Sequence, residues 1–188
     1  KQIGITDHGF SHMAFGLKRK KVPSLKRDCM EASKALEIDV LVGMEANIRG
    51  ESGLSDLTEA DYDDFDLFIC GKHVLIAYET FGDWWHYFGG NFTVDKFGRK
   101  PPESLIKRNT RAYINMIKRN PVDIVSHLCY LCPADAAEVA KCAADYGTYI
   151  ELNSKKTHLT DEELYKVVET GVRFVIDSDA HSVDRVGD

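Results

Sequence analysis

The sequence predicts an α/β fold whose parallel strands form a barrel, and three observations predict it. Six short apolar runs each end on a carboxylate, an imidazole or both. The segments between them carry helical periodicity, and strands alternating with helices are parallel, with right-handed crossovers. No G-x-G-x-x-G follows the first run. A dinucleotide-binding open sheet would also gather its site at one switch point rather than at nearly every strand end.

Taken in order, the run 3–8 closes on Asp7 and His8, and a helix is expected over 24–36, after Pro23, with Ser24 as its cap. The run 40–45 closes on Glu45, a short helix follows over 57–64, and the run 67–73 closes on His73. Residues 78–100 then break the rhythm with Phe81, Trp84, Trp85, Tyr87, Phe88, Phe92 and Phe97 among four glycines. This aromatic insert reads as a loop over the strand ends, walling the site or packing as a satellite core. A helix over 102–119 stops at Pro121, and the run 123–127 closes on His127. The helix 133–146 opens on a proline and ends at Gly147. The run 149–153 carries Glu151 and Asn153, and Thr160-Asp-Glu-Glu163 is a capping box for the helix 160–170, ended by Gly171. The last run, 174–181, closes on Asp177, Asp179 and His181.

At 188 residues the chain is one domain by length. A net charge of −6 supplies no electrostatic footprint for nucleic acid or an anionic membrane. Five cysteines, an odd count, predict reduced thiols in a cytoplasmic protein, and Cys129-Tyr-Leu-Cys132 has no second pair to make a zinc ribbon. No run approaches the roughly 20 apolar residues that span a bilayer.

Carboxylates and imidazoles gathered at strand ends are the ligands of zinc, manganese or iron, and burying them together is costly unless cations neutralise them. Thr6-Asp-His-Gly9, Gly43-Met-Glu45, Gly71-Lys-His73, the run from Asp123 to His127, Glu151-Leu-Asn153 and Ser178-Asp-Ala-His181 follow one another in a familiar order. The chain resembles, along nearly its whole length, the PHP family, the polymerase and histidinol phosphatase superfamily of metal-dependent phosphoesterases.

That resemblance implies a distorted (β/α)7 TIM-like barrel with a trinuclear metal cluster, here holding two to three divalent ions (zinc, manganese or iron). It implies that Glu45 bridges two metals, with His73 and His127 completing the second. Asp179 would bind the first metal, and His8 and His181 the third. The residues it implies as catalytic are Glu45, His127 and Asp179, with Asp7, Asp177 and Asn153 supporting the ligands. Relatives open on a strand carrying His-x-His, so residues 1–188 are expected to be a fragment of a single barrel domain lacking its first strand and final helix. Where relatives often continue with Pro-Gly after the strand that ends at His127, this chain continues Leu128-Cys-Tyr-Leu-Cys132.

The expected activity is hydrolysis of a small phosphomonoester such as histidinol phosphate, which would connect the protein to histidine biosynthesis, by water activated between metals about 3.5–4 Å apart. Arg49, Lys155 and Lys156, just past strand ends, are candidate phosphate contacts. His12 and His158 are further substrate-site candidates, and His86, in the insert, is a weaker one. Two alternatives stand beside this reading: a nuclease or 3′-end phosphoesterase of the same family, and a non-catalytic, metal-stabilised binding domain. No membrane partner is expected.

Overall fold

A computed structural model describes residues 1–187. The apolar runs form six parallel strands: β1 (Gln2–His8), β2 (Asp39–Asn47), β3 (Leu67–Gly71), β4 (Ile124–Val125), β5 (Tyr149–Asn153) and β6 (Phe174–Asp177). Each pairs only with its chain neighbours, in the order β1-β2-β3-β4-β5-β6. The register sets His8 opposite Glu45 and Asn153 opposite Asp177, so the polar strand ends share one edge. The sheet curls enough that the His8 and His181 rings, at its two ends, lie 6.1 Å apart. Among the described residues β1 and β6 do not pair, and these edge strands leave Ile5 41% and Ile176 72% exposed. The central strands are largely buried, and the edge strands are not.

Several strands stop sooner than their apolar runs suggest. β3 ends at Gly71, β4 keeps two residues and β6 ends at Asp177, so His73, His127, Asp179 and His181 stand on the connections beyond the ladders. A barrel interior has no room for these groups, and the backbone leaves the ladder to turn them toward the rim.

Helices α1 (Val22–Leu36), α4 (Glu103–Arg119), α5 (Ala136–Tyr146) and α6 (Asp161–Glu169) cover the sheet. In α4, Leu105, Ala112, Tyr113, Met116 and Ile117 recur at helical spacing and are buried. Tyr113, Met116 and Ile117 share one core with Met44, Ala46, Phe68, Cys70, Val125 and Ile150 of the strands and Val139, Ala140 and Ala143 of α5. Two helix starts correct the sequence reading. Helix α1 begins at Val22, two residues before Ser24, whose hydroxyl instead donates to the Lys21 carbonyl at 2.8 Å. Helix α5 begins at Ala136, because the Asp135 carboxylate accepts from the Glu138 N–H at 3.0 Å and makes a better cap than the Pro133 turn. The short helix expected over 57–64 is a 3-10 turn, Glu59–Asp64, with Thr58 and Asp61 as its capping box.

The aromatic insert is the largest correction. It is no loop, but a continuous helical run formed by α2 (Phe81–Asp83), a π-helical stretch (Trp84–Gly90) and α3 (Asn91–Lys96). Gly89 and Gly90 lower its helix propensity, but tertiary contacts override that cost. The Asn91 and Asn109 amides pair reciprocally at 2.9 and 3.4 Å, tying the insert to α4. Lys72 is wholly buried, with its ammonium 4.5 Å and 4.1 Å from the ring centres of Tyr78 and Tyr87, whose planes differ by 2°. Its Nζ donates to the Ile48 carbonyl at 3.0 Å, and burial pushes the ammonium pKa down to about 8. No helix among the described residues is long and apolar enough to cross a membrane.

The start of α6 matches its sequence signature. The Thr160 hydroxyl accepts from the Glu163 N–H at 3.3 Å while the Glu163 carboxylate accepts from the Thr160 N–H at 2.8 Å. Thr160→Ala should therefore cost about 0.5–2 kcal/mol, read as a lower urea midpoint with an unchanged slope.

Candidate metal centre

The centre is built around Glu45, on the inward side of β2. His8, from the end of β1, sets Nδ1 3.2 Å from Glu45 Oε2. His73 Nε2, just past β3, lies 3.4 Å from Glu45 Oε1, and His127 Nε2, just past β4, lies 3.0 Å from the same oxygen. The Ser126 hydroxyl donates to that oxygen at 2.9 Å. Burial pushes the Glu45 carboxyl upward, but hydrogen bonds from His127, His73 and His8 outweigh it and hold the group well below the usual carboxylate range. In return, the hydrogen bond to Glu45 raises His8, and Glu45 raises His127 against the lowering effect of burial.

The backbone yields to bring these groups together. His127 has φ +31° and Asp179 φ +41°, both in the left-handed region that side-chain-bearing residues seldom adopt. A Cβ at Gly71 would stand 2.4 Å from Ser126 Oγ and 2.8 Å from His127 Cε1, so only glycine lets His127 approach β3. A Cβ at Gly9 would meet Asp56 Oδ2 at 1.6 Å.

That Asp56 belongs to a buried relay absent from the sequence reading. His73 Nδ1 is 2.7 Å from Asn47 Oδ1, and the Asn47 amide donates to Asp56 Oδ2 at 2.6 Å. The Ser11 hydroxyl donates to Asp56 Oδ1 at 2.5 Å. A carboxylate only accepts, so the Asn47 amide nitrogen faces Asp56 and its oxygen faces His73. The Asn47 oxygen thus holds a proton on His73 Nδ1 and aims Nε2 at the centre. The signal was present in the sequence: Asn47 lies two residues after Glu45 on one strand, hence on the same face.

Asp179 stands on the β6 side of the centre, accepting from the Asn153 amide at 3.3 Å. His181 is at the rim with its side chain 67% exposed, and its Nδ1 lies 2.9 Å from the Asp179 carbonyl. Asp177 pairs with Glu151, whose carboxylate accepts the His127 backbone N–H. Burial pushes both carboxyls upward, and the neighbouring Asp177 raises Glu151 further. Asp7 makes no hydrogen bond to a site histidine among the described residues.

Of the proposed substrate contacts, His12 joins the cluster, stacked on His8 at 4.9 Å and 5.7 Å from His73. His158 reaches it indirectly, 4.4 Å from the Tyr130 ring that sits 5.5 Å from His127. Lys155 and Lys156 are exposed beyond β5. Arg49 is drawn away, its Nε donating to the Ala77 carbonyl at 2.8 Å, and His86 lines a separate cleft.

The donor set fits a divalent metal. One ligand atom each from His8, Glu45 and His73 lies within 4.8 Å of the others, and His127 Nδ1 is buried without a hydrogen bond. Imidazole and carboxylate together suit zinc, manganese and iron.

Comparison with known proteins bears on the same chain. A curated protein of Caldanaerobacter subterraneus subsp. tengcongensis, named a probable phosphatase, is 30% identical over 98% of this chain, which spans 66% of that relative's length. One from Thermoanaerobacter sp. strain X514 with the same designation is 29% identical over 98% of this chain and 68% of its own. The chain is similar over nearly its whole length to proteins named probable phosphatases, of which it spans about two thirds. No family model matches it. Among solved structures, the histidinol phosphate phosphatase of Lactococcus lactis, complexed with zinc, L-histidinol and phosphate, superposes with a TM-score of 0.57 at 14% identity. The match covers 96% of this chain and 74% of that one. A Listeria monocytogenes protein described as a histidinol phosphatase gives 0.59 at 12% identity, over 99% and 86% of the two chains. A chain of archaeal ribonuclease P gives 0.55 at 14% identity, over 98% and 68%. At these identities the structural likeness speaks for the fold alone, and the fold carries more than one function.

Two outcomes test the centre. Raised His8 and His127 values stabilise the metal-free fold below pH 6.5, and that stabilisation is lost as pH rises through the raised values. Zinc requires the neutral rings, so its affinity should run the other way, climbing with pH and releasing protons on binding. Calorimetry at pH 7 in buffers of different ionisation enthalpy should detect that release; an affinity flat from pH 6 to 8 would count against it. Separately, Asn47→Ala should weaken zinc binding by roughly 10–100-fold, measured by chelator competition with circular dichroism monitoring the fold.

Proposed function

We propose that this protein is a metal-dependent phosphomonoesterase of the PHP type, acting on a small phosphorylated substrate, with histidinol phosphate the first candidate. The observation that carries the reading is the Glu45 carboxylate ringed by His8, His73 and His127 at the converging strand ends, in a chain similar to proteins named probable phosphatases. His8, Glu45 and His73 would hold one ion, with His127, Asp179 and His181 available for others. Bound divalent ions would supply Lewis-acid activation of water and neutralise phosphoryl charge.

The protein's own groups do the rest. Asn47 holds His73, and the Asp179 carbonyl holds His181, through a proton on Nδ1, so Nε2 is the atom each would offer to a metal. His12 is lowered by burial and by the neighbouring His8 and His73, which favours the neutral ring. Its Nδ1 accepts from the Phe15 N–H at 3.0 Å, so its proton sits on Nε2. That proton is suited to a phosphoryl oxygen or to the departing alkoxide. The exposed Lys155 and Lys156 would add positive charge for the phosphate.

The test is phosphate release from an aryl phosphate and from histidinol phosphate, with zinc, manganese or iron(II) added and with chelator. We expect metal-dependent turnover that Glu45→Gln abolishes while circular dichroism is unchanged. Turnover in the presence of chelator, or full activity in E45Q, would overturn the reading.

A further inference from the structure

The aromatic helical insert has two sides. Tyr87, Phe88, Asn91 and Phe92 border a small cavity shared with Lys72 and His73. His86, Gly90, Thr93 and Val94 border a separate cleft of about 470 Å³ against the start of α4. Four cations also line that cleft: Arg99, Lys100, Arg108 and Arg111. Its size is that of a small-molecule pocket.

Two of the cations are held in position. The Glu51 carboxylate bridges Arg108 Nε at 3.0 Å and Arg111 Nε at 2.5 Å, one helical turn apart. Arg108 also lies 3.6 Å from Asp83, and the Asn115 amide fixes the Glu51 carbonyl at 2.7 Å. Glu51 and Asp83 together offset two charges. Arg99 stands over the Phe97 ring at 5.3 Å, and neither Arg99 nor Lys100 forms an ion pair among the described residues. The cleft thus keeps an excess of two positive charges in a protein of net charge −6. Pro102, Ser104 and Leu105, the first turn of the 17-residue helix α4, also line it, adding the positive end of the helix.

We propose that this cleft is a second ligand site, distinct from the metal centre, that binds a compact polyanion: a phosphorylated small molecule. A cleft of about 470 Å³ suits a small ligand, whereas nucleic acid needs an extended basic surface. Guanidiniums pre-oriented by a carboxylate match phosphate in geometry as well as charge. The inference does not rest on the phosphatase reading, since it needs neither the metal nor turnover.

The probe is inorganic pyrophosphate, titrated by calorimetry into chelator-treated protein. We expect saturable binding that weakens with salt and falls at least about tenfold, about 1.4 kcal/mol, in the triple variant R99A/K100A/R111A. These three positions are exposed, and circular dichroism should stay unchanged. His73→Ala should bind pyrophosphate as the parent does. Absence of saturable binding at millimolar pyrophosphate, or equal binding by the triple variant, would overturn the proposal. So would loss of binding in H73A, which would locate the anion at the metal centre. Tighter binding of a 20-nucleotide RNA through the same three residues would replace the small ligand with nucleic acid.

Discussion

One buried carboxylate organises this protein. Glu45 is surrounded by three imidazole nitrogens within 3.4 Å, contributed by the ends of three different strands. A lone ionised carboxylate at such a place would be costly, and the imidazoles turn that cost into attraction. The requirement reaches outward. It explains why the ladders stop early, why His127 and Asp179 adopt left-handed backbone, and why Gly71 has no side chain. Polar groups needed at one edge of the sheet outrank the regularity of the strands that carry them.

Support for the centre runs in two directions. On the β1–β2 side, Ser11, Asp56 and Asn47 form a buried chain ending on His73. On the β5–β6 side, Asn153 donates to Asp179, and Glu151 anchors the His127 backbone beside Asp177. The two halves use the same logic, in which a strand residue pointing inward orients a ligand on the connection beyond its neighbour. A metal site whose ligands are pre-oriented in this way loses less freedom on binding.

The insert shows how a segment with poor local credentials becomes ordered. Its aromatic rings stack along one side, with Phe81–Trp84, Trp84–Phe88 and Phe88–Phe92 centres 5.4, 5.7 and 5.6 Å apart. Lys72 enters between Tyr78 and Tyr87 beneath them, beside His73 on the same connection. The wall of the centre and the insert are therefore joined through adjacent residues. π-helical turns such as 84–90 recur at functional sites, where they re-aim side chains at the expense of regular hydrogen bonding.

Local chemistry determined much of this from the sequence by itself. The six strands and their parallel order follow from apolar runs spaced by helices. The Thr160 capping box and the left-handed Gly147 that ends α5 are short-range hydrogen-bonding and steric effects, readable from a few adjacent residues. The positions of Glu45, His73 and His127 at strand ends were legible for the same reason. What only the tertiary structure decided is whatever depends on distant partners. Asp135 prevailed over Pro133 as the α5 start, and its own N–H is held by the Thr110 hydroxyl at 2.8 Å. The insert became helical through Asn109 and Lys72, and Arg49 was drawn to Ala77 rather than toward the metal centre. His12 met His73, and Asp56 met Ser11, through contacts spanning dozens of residues. Burial, charge pairing and close packing act through space, and chain neighbours alone carry no record of them.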